Sequence, residues 1–447
     1  MLPRTLRTLR AVLAPALFLS CAFQAASAAN NYPIVLVHGF LGFGPEQYTR
    51  TGFKYWGGFD DIVGHMRAHQ GQHQVWAASV GAISSNWDRA AELYYQIKGG
   101  CVDYGTTHTG NAARFGALRQ PAGKCWAANP ADNPNGYPAA LYPAWDARHP
   151  IHLVGHSQGG QTIRALIELL ENGSPNGDEG GAELYQGGKR GWVVSATTIA
   201  SPNDGTSLRD AMGETGAALT QLAAGIATIA NGGDVTQPAA DLGLEQFGLR
   251  SGAAEPSAAY RQRVMAAPFW DQDNFDSAQA EMTPDGARTF NAWAKTSPSV
   301  YYFSMSNQAT EAGSPCCNNT DRLLFPLQNP AFQYPRADMA SLTRPYAGEW
   351  VIPSAGRRGM GSYTMAGFGR VPVDASWFAN DGVVNTVSMR APSGHPVRDY
   401  NGTPVRGSWN FLQNYKGYDH FDMVGWPKSG PRVYPIYDAV AAILYGL

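Results

Sequence analysis

Ile151-His152-Leu153-Val154-Gly155-His156-Ser157-Gln158-Gly159-Gly160-Gln161-Thr162 is an apolar run that breaks at a glycine, presents one serine and resumes with a different period. Beyond it Ile163, Leu166, Ile167 and Leu170 recur at helical spacing, so the stretch reads as strand, tight turn and helix. The turn holds Gly155-x-Ser157-x-Gly159. Glycines on either side of the serine permit a turn sharp enough to lift its hydroxyl out of the sheet. The backbone N–H of Gln158 then points to the same place, where it can stabilise a developing oxyanion. G-x-S-x-G arises readily by chance in a chain with 51 glycines. The strand before it and the helix after it are what mark Ser157 as a nucleophile.

Similar units lie on both sides. Pro33-Ile34-Val35-Leu36-Val37 runs into His38-Gly39-Phe40, and Trp192 to Ala200 runs into Ser201-Pro202-Asn203-Asp204-Gly205. Apolar runs without alternation suit strands buried on both faces of a parallel sheet. Helical patterns and Gly-rich loops between them indicate an open α/β sheet with insertions. One segment stands apart. Residues 215–233 carry no charge, and Leu219, Leu222, Ile226 and Ile229 fall on one helical face. An ordinary packed helix and a mobile lid over an apolar site both fit that pattern.

Composition narrows the partners. Charged residues make up 15% of the 447 and the net charge is −2, so nothing points to nucleic acid or to electrostatic membrane binding. Arg4, Arg7 and Arg10 precede an apolar stretch from Ala11 to Ala25 and then Ala26-Ser27-Ala28. That order reads as an export signal over residues 1–28, leaving 29–447 as one domain of a secreted protein, with passage through a periplasm allowed. The apolar stretch is short for a transmembrane anchor and no second one follows. Cys21 after Phe18-Leu19-Ser20 is a poor lipoprotein signal. Removing the signal leaves Cys101, Cys125, Cys316 and Cys317, an even number that favours disulfides in an exported protein. Of three pairings we favour Cys101–Cys125, with Cys316 and Cys317 either bridged to each other or reduced. No C-x-x-C pair exists to build a cysteine zinc site.

A serine nucleophile on such an elbow needs an acid and then a histidine later in the chain. Only His395 and His420 follow Ser157. His395 sits in Pro392-Ser393-Gly394-His395-Pro396, where an exposed loop histidine is unremarkable, and His420 precedes the last helical region, so His420 is the expected base. The acid is best sought in Asn380-Asp381-Gly382, where a carboxylate at a turn can reach a histidine from a loop. Asp374 and Asp419 compete with Asp381 on residue logic alone. The loop after the first strand should supply a second oxyanion donor, the Phe40 amide, with His38 structural.

The motifs GHSQGGQT, HGFLGFG, GFKYWGG, SSNWDRA, VDYG, TTIASPNDGT and NDGVVNTVSM resemble, in order and over nearly the whole mature chain, those of the secreted true lipases of Geobacillus and Staphylococcus. The resemblance implies an α/β-hydrolase fold with a mostly parallel central sheet, insertions and a helical lid at about 207–233. It implies Asp381 as the catalytic acid beside Ser157 and His420, and supports Phe40 and Gln158 as oxyanion donors. The implied activity is carboxylic-ester hydrolysis, foremost of triacylglycerols at an oil–water interface, with no cofactor needed for the chemistry. A polyester hydrolase or short-chain carboxylesterase could run on the same triad. A catalytically dead binding module of this fold is disfavoured because all three triad residues are present. A metal-dependent hydrolase lacks H-E-x-x-H or any dense histidine cluster.

The family's two metal sites carry over incompletely. For zinc, Asp88 and His108 match two ligands and Asp273 or Asp271 could be a third, while Ala112 stands where a second histidine is expected. For calcium, Asp422 and the Gly313 carbonyl match, but Gly425-Trp426-Pro427 lacks the aspartate before proline. Calcium takes oxygens that backbone and water can also supply, so of the two it is the better supported. Otherwise Asp422 simply orients the His420 turn.

Overall fold

A computed structural model describes residues 29–47, 52–68, 73–112, 124–132, 137–175, 181–207, 244–247, 249, 255–267, 276–311, 322–323, 344–346, 349–351, 362–365, 369–372, 375–377, 379–426 and 432–447. The segments assigned to the export signal and to most of the lid, including Leu219, Leu222, Ile226 and Ile229, lie outside these residues. So do Cys316, Cys317, Asp271, Asp273, Gly313 and Asp374.

Seven strands form the central sheet: β1 (Ile34–Val37), β2 (Val75–Ala78), β3 (Ile151–His156), β4 (Val193–Ile199), β5 (Tyr301–Gln308), β6 (Val397–Asp399) and β7 (Trp409–Lys416). They lie in the order β6-β7-β5-β4-β3-β1-β2, and every neighbouring pair is parallel. Every residue of β1 and β3 is buried, as their unalternating apolar sequences require. Strand order reverses at β1, which has β2 on one side and β3 on the other. In open parallel sheets the crevice beyond the carboxyl ends of the strands at such a reversal is where ligands bind.

Of the helices, α1 (Ile62–Ala68) precedes β2 and α4 (Gln158–Asn172) follows β3. The sequence of α4 shows one apolar face, yet every residue from Gln158 to Leu170 is buried. Distant stretches of chain supply acceptors for some of its buried polar side chains. Arg164 donates to the Asn291 Oδ1 and Ala294 carbonyl at 2.8 and 2.9 Å, and Gln161 donates to the Pro202 carbonyl at 2.9 Å. Helix α2 (Asn86–Lys98) packs beside it. The glycines of the elbow set how close this helix comes: a Cβ on Gly159 would lie 2.1 Å from the Val37 carbonyl oxygen. Any larger residue there would push α4 off β1.

Cys101 and Cys125 are disulfide-bonded across a short antiparallel strand pair, as expected. Beside the bridge Lys124 reaches the fully buried Glu92 of α2 at 2.9 Å. The bridge closes a loop of 24 residues in sequence, and its removal from the unfolded-chain entropy is worth about 3 kcal/mol. The Cys101→Ser/Cys125→Ser pair should therefore lose about that much in a denaturant unfolding experiment.

Candidate active site

Three strands deliver the three expected side chains to one edge of the sheet. Ser157 follows β3 directly, and His420 comes shortly after β7. Asp381 is held at the end of β5, where the Ala309 amide donates to the Asn380 carbonyl at 2.8 Å and Thr386 Oγ1 donates to the Asn307 carbonyl at 2.7 Å. All three are at least 95% buried.

Ser157 has φ 56° and ψ −131°, a conformation costly for a residue with a side chain and kept where the surroundings enforce it. Its amide donates to the Ile199 carbonyl of β4 at 2.9 Å, and α4 begins at the next residue. His420 Nδ1 donates to Asp381 Oδ2 at 2.7 Å. The other oxygen of Asp381 accepts the Val383 and Val384 amides at 2.9 and 2.7 Å, and its carbonyl accepts the His420 amide at 3.0 Å. A carboxylate accepts only, so Nδ1 carries the proton and Nε2 keeps its lone pair.

The rival residues are otherwise engaged. Asp419 Oδ1 accepts the Phe421 and Asp422 amides at 2.9 Å each, closing its own turn. His395 lies at the opposite edge of the sheet, where Pro396 O accepts the Trp409 amide at the start of β7. There its Nδ1 meets Thr296 Oγ1 at 2.5 Å, and burial holds its pKa down at about 4.

With that constellation in view, comparison with known proteins decides the family. The model of the lipase-like C-terminal domain family matches residues 30–329. The chain belongs to that family. Among solved structures this lipase-like chain is similar to EstA from Clostridium botulinum, at 33% identity and a TM-score of 0.77, covering 95% of this chain and 90% of that one. It is also similar to lipase 1 from Pelosinus fermentans, at 35% identity and a TM-score of 0.70, covering 94% and 99%. Lipase 2 of Staphylococcus aureus is 33% identical over 406 residues, 89% of this chain and 50% of its own length. The chain spans about half the length of the curated relatives it matches. The α/β-hydrolase fold and the staphylococcal resemblance read from the motifs are both borne out.

Around the lipase-like elbow, the loop after β1 lies against the serine: a Cβ on Gly39 would meet Ser157 Cβ at 2.5 Å. This places the Phe40 segment beside the hydroxyl. Gln158, the other expected donor, opens α4, whose first amides have no partner within the helix, and its side chain donates to the Ser84 carbonyl at 3.0 Å. Buried Arg89 braces the same loop, donating to the His38 carbonyl, to Gly81 O at 2.6 Å and to Thr162 Oγ1 at 2.8 Å. His38 is fully buried, and burial together with Arg89 lowers its pKa to about 3, in keeping with the structural role expected of it.

A second polar cluster lies at the start of α2. His108, in helix α3 (Thr106–Ala112), places Nε2 3.0 Å from Asp88 Oδ1 and 3.2 Å from Asp276 Oδ2. Its ring stacks on Trp87 at 5.0 Å. The three ligand atoms lie within 4.8 Å of one another and could hold a metal ion. One nitrogen and two carboxylates suit zinc, and the second carboxylate is that of Asp276, where the sequence reading looked to Asp273 or Asp271, both outside the described residues. Burial would depress His108, but the Asp276 charge and hydrogen bonds to Asp276 and Asp88 outweigh it and push its pKa up to about 10. Glu281, half-buried nearby, is raised to about 8, by desolvation foremost. On the calcium side, Asp422 Oδ2 accepts the Asp419 amide at 2.9 Å, tightening the turn that carries His420. Its expected partner, Gly313, is outside the described residues.

Proposed function

We propose that the protein is a secreted carboxylic-ester hydrolase, and more finely a triacylglycerol lipase, acting through Ser157, His420 and Asp381. The carrying observation is the buried His420–Asp381 pair at 2.7 Å on the sheet edge where Ser157 stands in its strained elbow. Ser157 Oγ attacks the ester carbonyl and its proton passes to His420 Nε2. Asp381 holds the ring in the tautomer that leaves Nε2 free and stabilises the imidazolium that forms. The Phe40 and Gln158 amides take the oxyanion. Collapse expels the alcohol, protonated by His420, and a water deprotonated by the same residue then releases the acid from Ser157.

The lipase assignment rests on the named relatives and on the charge-free pattern of residues 215–233. Secretion rests on the sequence of residues 1–28; no helix among the described residues is long and apolar enough to cross a membrane. The test is the rate on one triglyceride followed through its solubility limit. We expect a jump as droplets form, because an apolar surface that opens at oil is favoured by about 25 cal/mol per Å² buried there. A smooth saturation curve, with short soluble esters preferred, would leave a carboxylesterase.

We further propose a structural divalent ion at Asp88, His108 and Asp276, zinc by its donor set. It would add no step to the chemistry. An ion bound only by the folded state stabilises it by mass action. Chelation should therefore lower the melting temperature while the protein still hydrolyses esters at low temperature, and mass spectrometry of the untreated protein should find one metal per chain.

A further inference from the structure

Tyr55 and His156 lie outside the triad, and the reaction just described gives neither a role. Both are buried. The Gly39 amide donates to Tyr55 Oη at 2.9 Å, so the Tyr55 proton is left for another acceptor. His156 Nδ1 is 2.6 Å away. His156 Nε2 in turn lies 2.9 Å from the His420 carbonyl, which can only accept, so Nε2 carries the proton and Nδ1 must be the acceptor for Tyr55. The hydrogen bonds therefore run one way: Gly39 N–H to Tyr55, Tyr55 O–H to His156, His156 N–H to His420.

The ends of this chain are what give it meaning. Gly39 is pressed against Ser157 and precedes Phe40, whose amide is the proposed oxyanion donor. His156 is the residue before Ser157. His420 is the proposed base. Tyr55 is itself pinned: Trp426 Nε1 donates to its carbonyl at 2.9 Å, and Trp426 stacks on Phe421, next to His420, at 5.2 Å and 4°. One hydroxyl thus connects the oxyanion loop, the elbow and the base loop, which come from three separate stretches of sequence.

Resting on the nucleophile and base assigned above, we infer that Tyr55 and His156 are positioning residues that hold the oxyanion loop and His420 in register with Ser157. Tyr55→Phe keeps the ring and removes the hydroxyl. It leaves the Gly39 N–H and the His156 lone pair buried without a partner, freeing both loops to move. Misplacement of reacting groups by about 1 Å can cost about 100-fold in rate. A residue acting this way changes the turnover step and leaves substrate uptake alone.

The experiment is kinetics on a soluble ester, with rates expressed per site titrated by a fluorophosphonate so that only folded, reactive protein is counted. Tyr55→Phe and His156→Leu should each lower kcat by about 10- to 100-fold with KM within about two-fold of wild type. The double variant should be no slower than about the worse single one, since both break the same chain. His156→Gln should recover most of the loss of His156→Leu, because its amide can accept from Tyr55 and donate to His420. Singles that keep wild-type kcat, effects that multiply in the double variant, or a His156→Gln no better than His156→Leu would overturn the relay. Ser157→Ala, run alongside and expressed per mole of folded protein, separates the levels. If it is inactive while Tyr55→Phe turns over normally, only the relay falls; if it still turns over, the nucleophile assignment falls and takes the relay with it.

Discussion

Ser157→Ala should lose about 10⁴- to 10⁶-fold in ester turnover, leaving the residue of catalysis that the oxyanion donors and binding alone provide. The loss is large because the nucleophile, base and acid act as a unit: without the serine hydroxyl the His420–Asp381 pair has no proton to take. The fold should stand. The elbow is held by the Ser157 amide on Ile199 and by the contacts of Gly155, Gly159 and Gly160, none of which uses the hydroxyl. Turnover by the purified variant and its melting curve check both halves. Unfolding with the loss of activity would say nothing for a nucleophile.

The second large effect separates the two late histidines. His420→Ala should cost about as much as the loss of Ser157, whereas His395→Ala should retain most of the activity. His420 has Asp381 behind it at the carboxyl edge of the sheet, and His395 is fastened to Thr296 at the opposite edge. Asp381→Asn should fall between, by about 10⁴-fold in kcat, because an amide cannot enforce the Nδ1–H tautomer. The three turnover numbers, measured on one soluble ester, are enough. An inactive His395→Ala beside an active His420→Ala would discard the triad.

The parts of the site that were legible in the sequence are the local ones. Ser157 is announced by its own flanking glycines, and two late histidines left little choice of base. The parallel strands were readable because a strand buried on both faces cannot alternate, and β1 and β3 do not. What the sequence could not disclose depends on contacts between distant stretches. Nothing local distinguishes Asp381 from Asp419, since each gives Oδ1 to amides of its own turn; the difference is that Asp381 Oδ2 meets His420 Nδ1 at 2.7 Å. The burial of α4 from Gln158 to Leu170 goes with partners for Arg164 and Gln161 that lie at Asn291, Ala294 and Pro202. Asp276 and the Tyr55–His156 pair are of the same kind. Each is an ordinary residue until the fold sets it against a partner far along the chain.

The same contrast holds for the metal ligands. Asp88 and His108 sit in motifs that could be matched one by one, but the sequence reading looked for the further carboxylate at Asp273 or Asp271. Among the described residues it is Asp276 whose carboxylate reaches His108 Nε2, at 3.2 Å.

The central claim is that Ser157 is a nucleophile activated by His420. It is tested most directly by treating the purified protein with a fluorophosphonate and locating the adduct by mass spectrometry. The expected result is one adduct per chain, on Ser157, formed quickly in the wild type and slowly or not at all in His420→Ala. An unlabelled wild-type protein, or an adduct on any other residue, would contradict it.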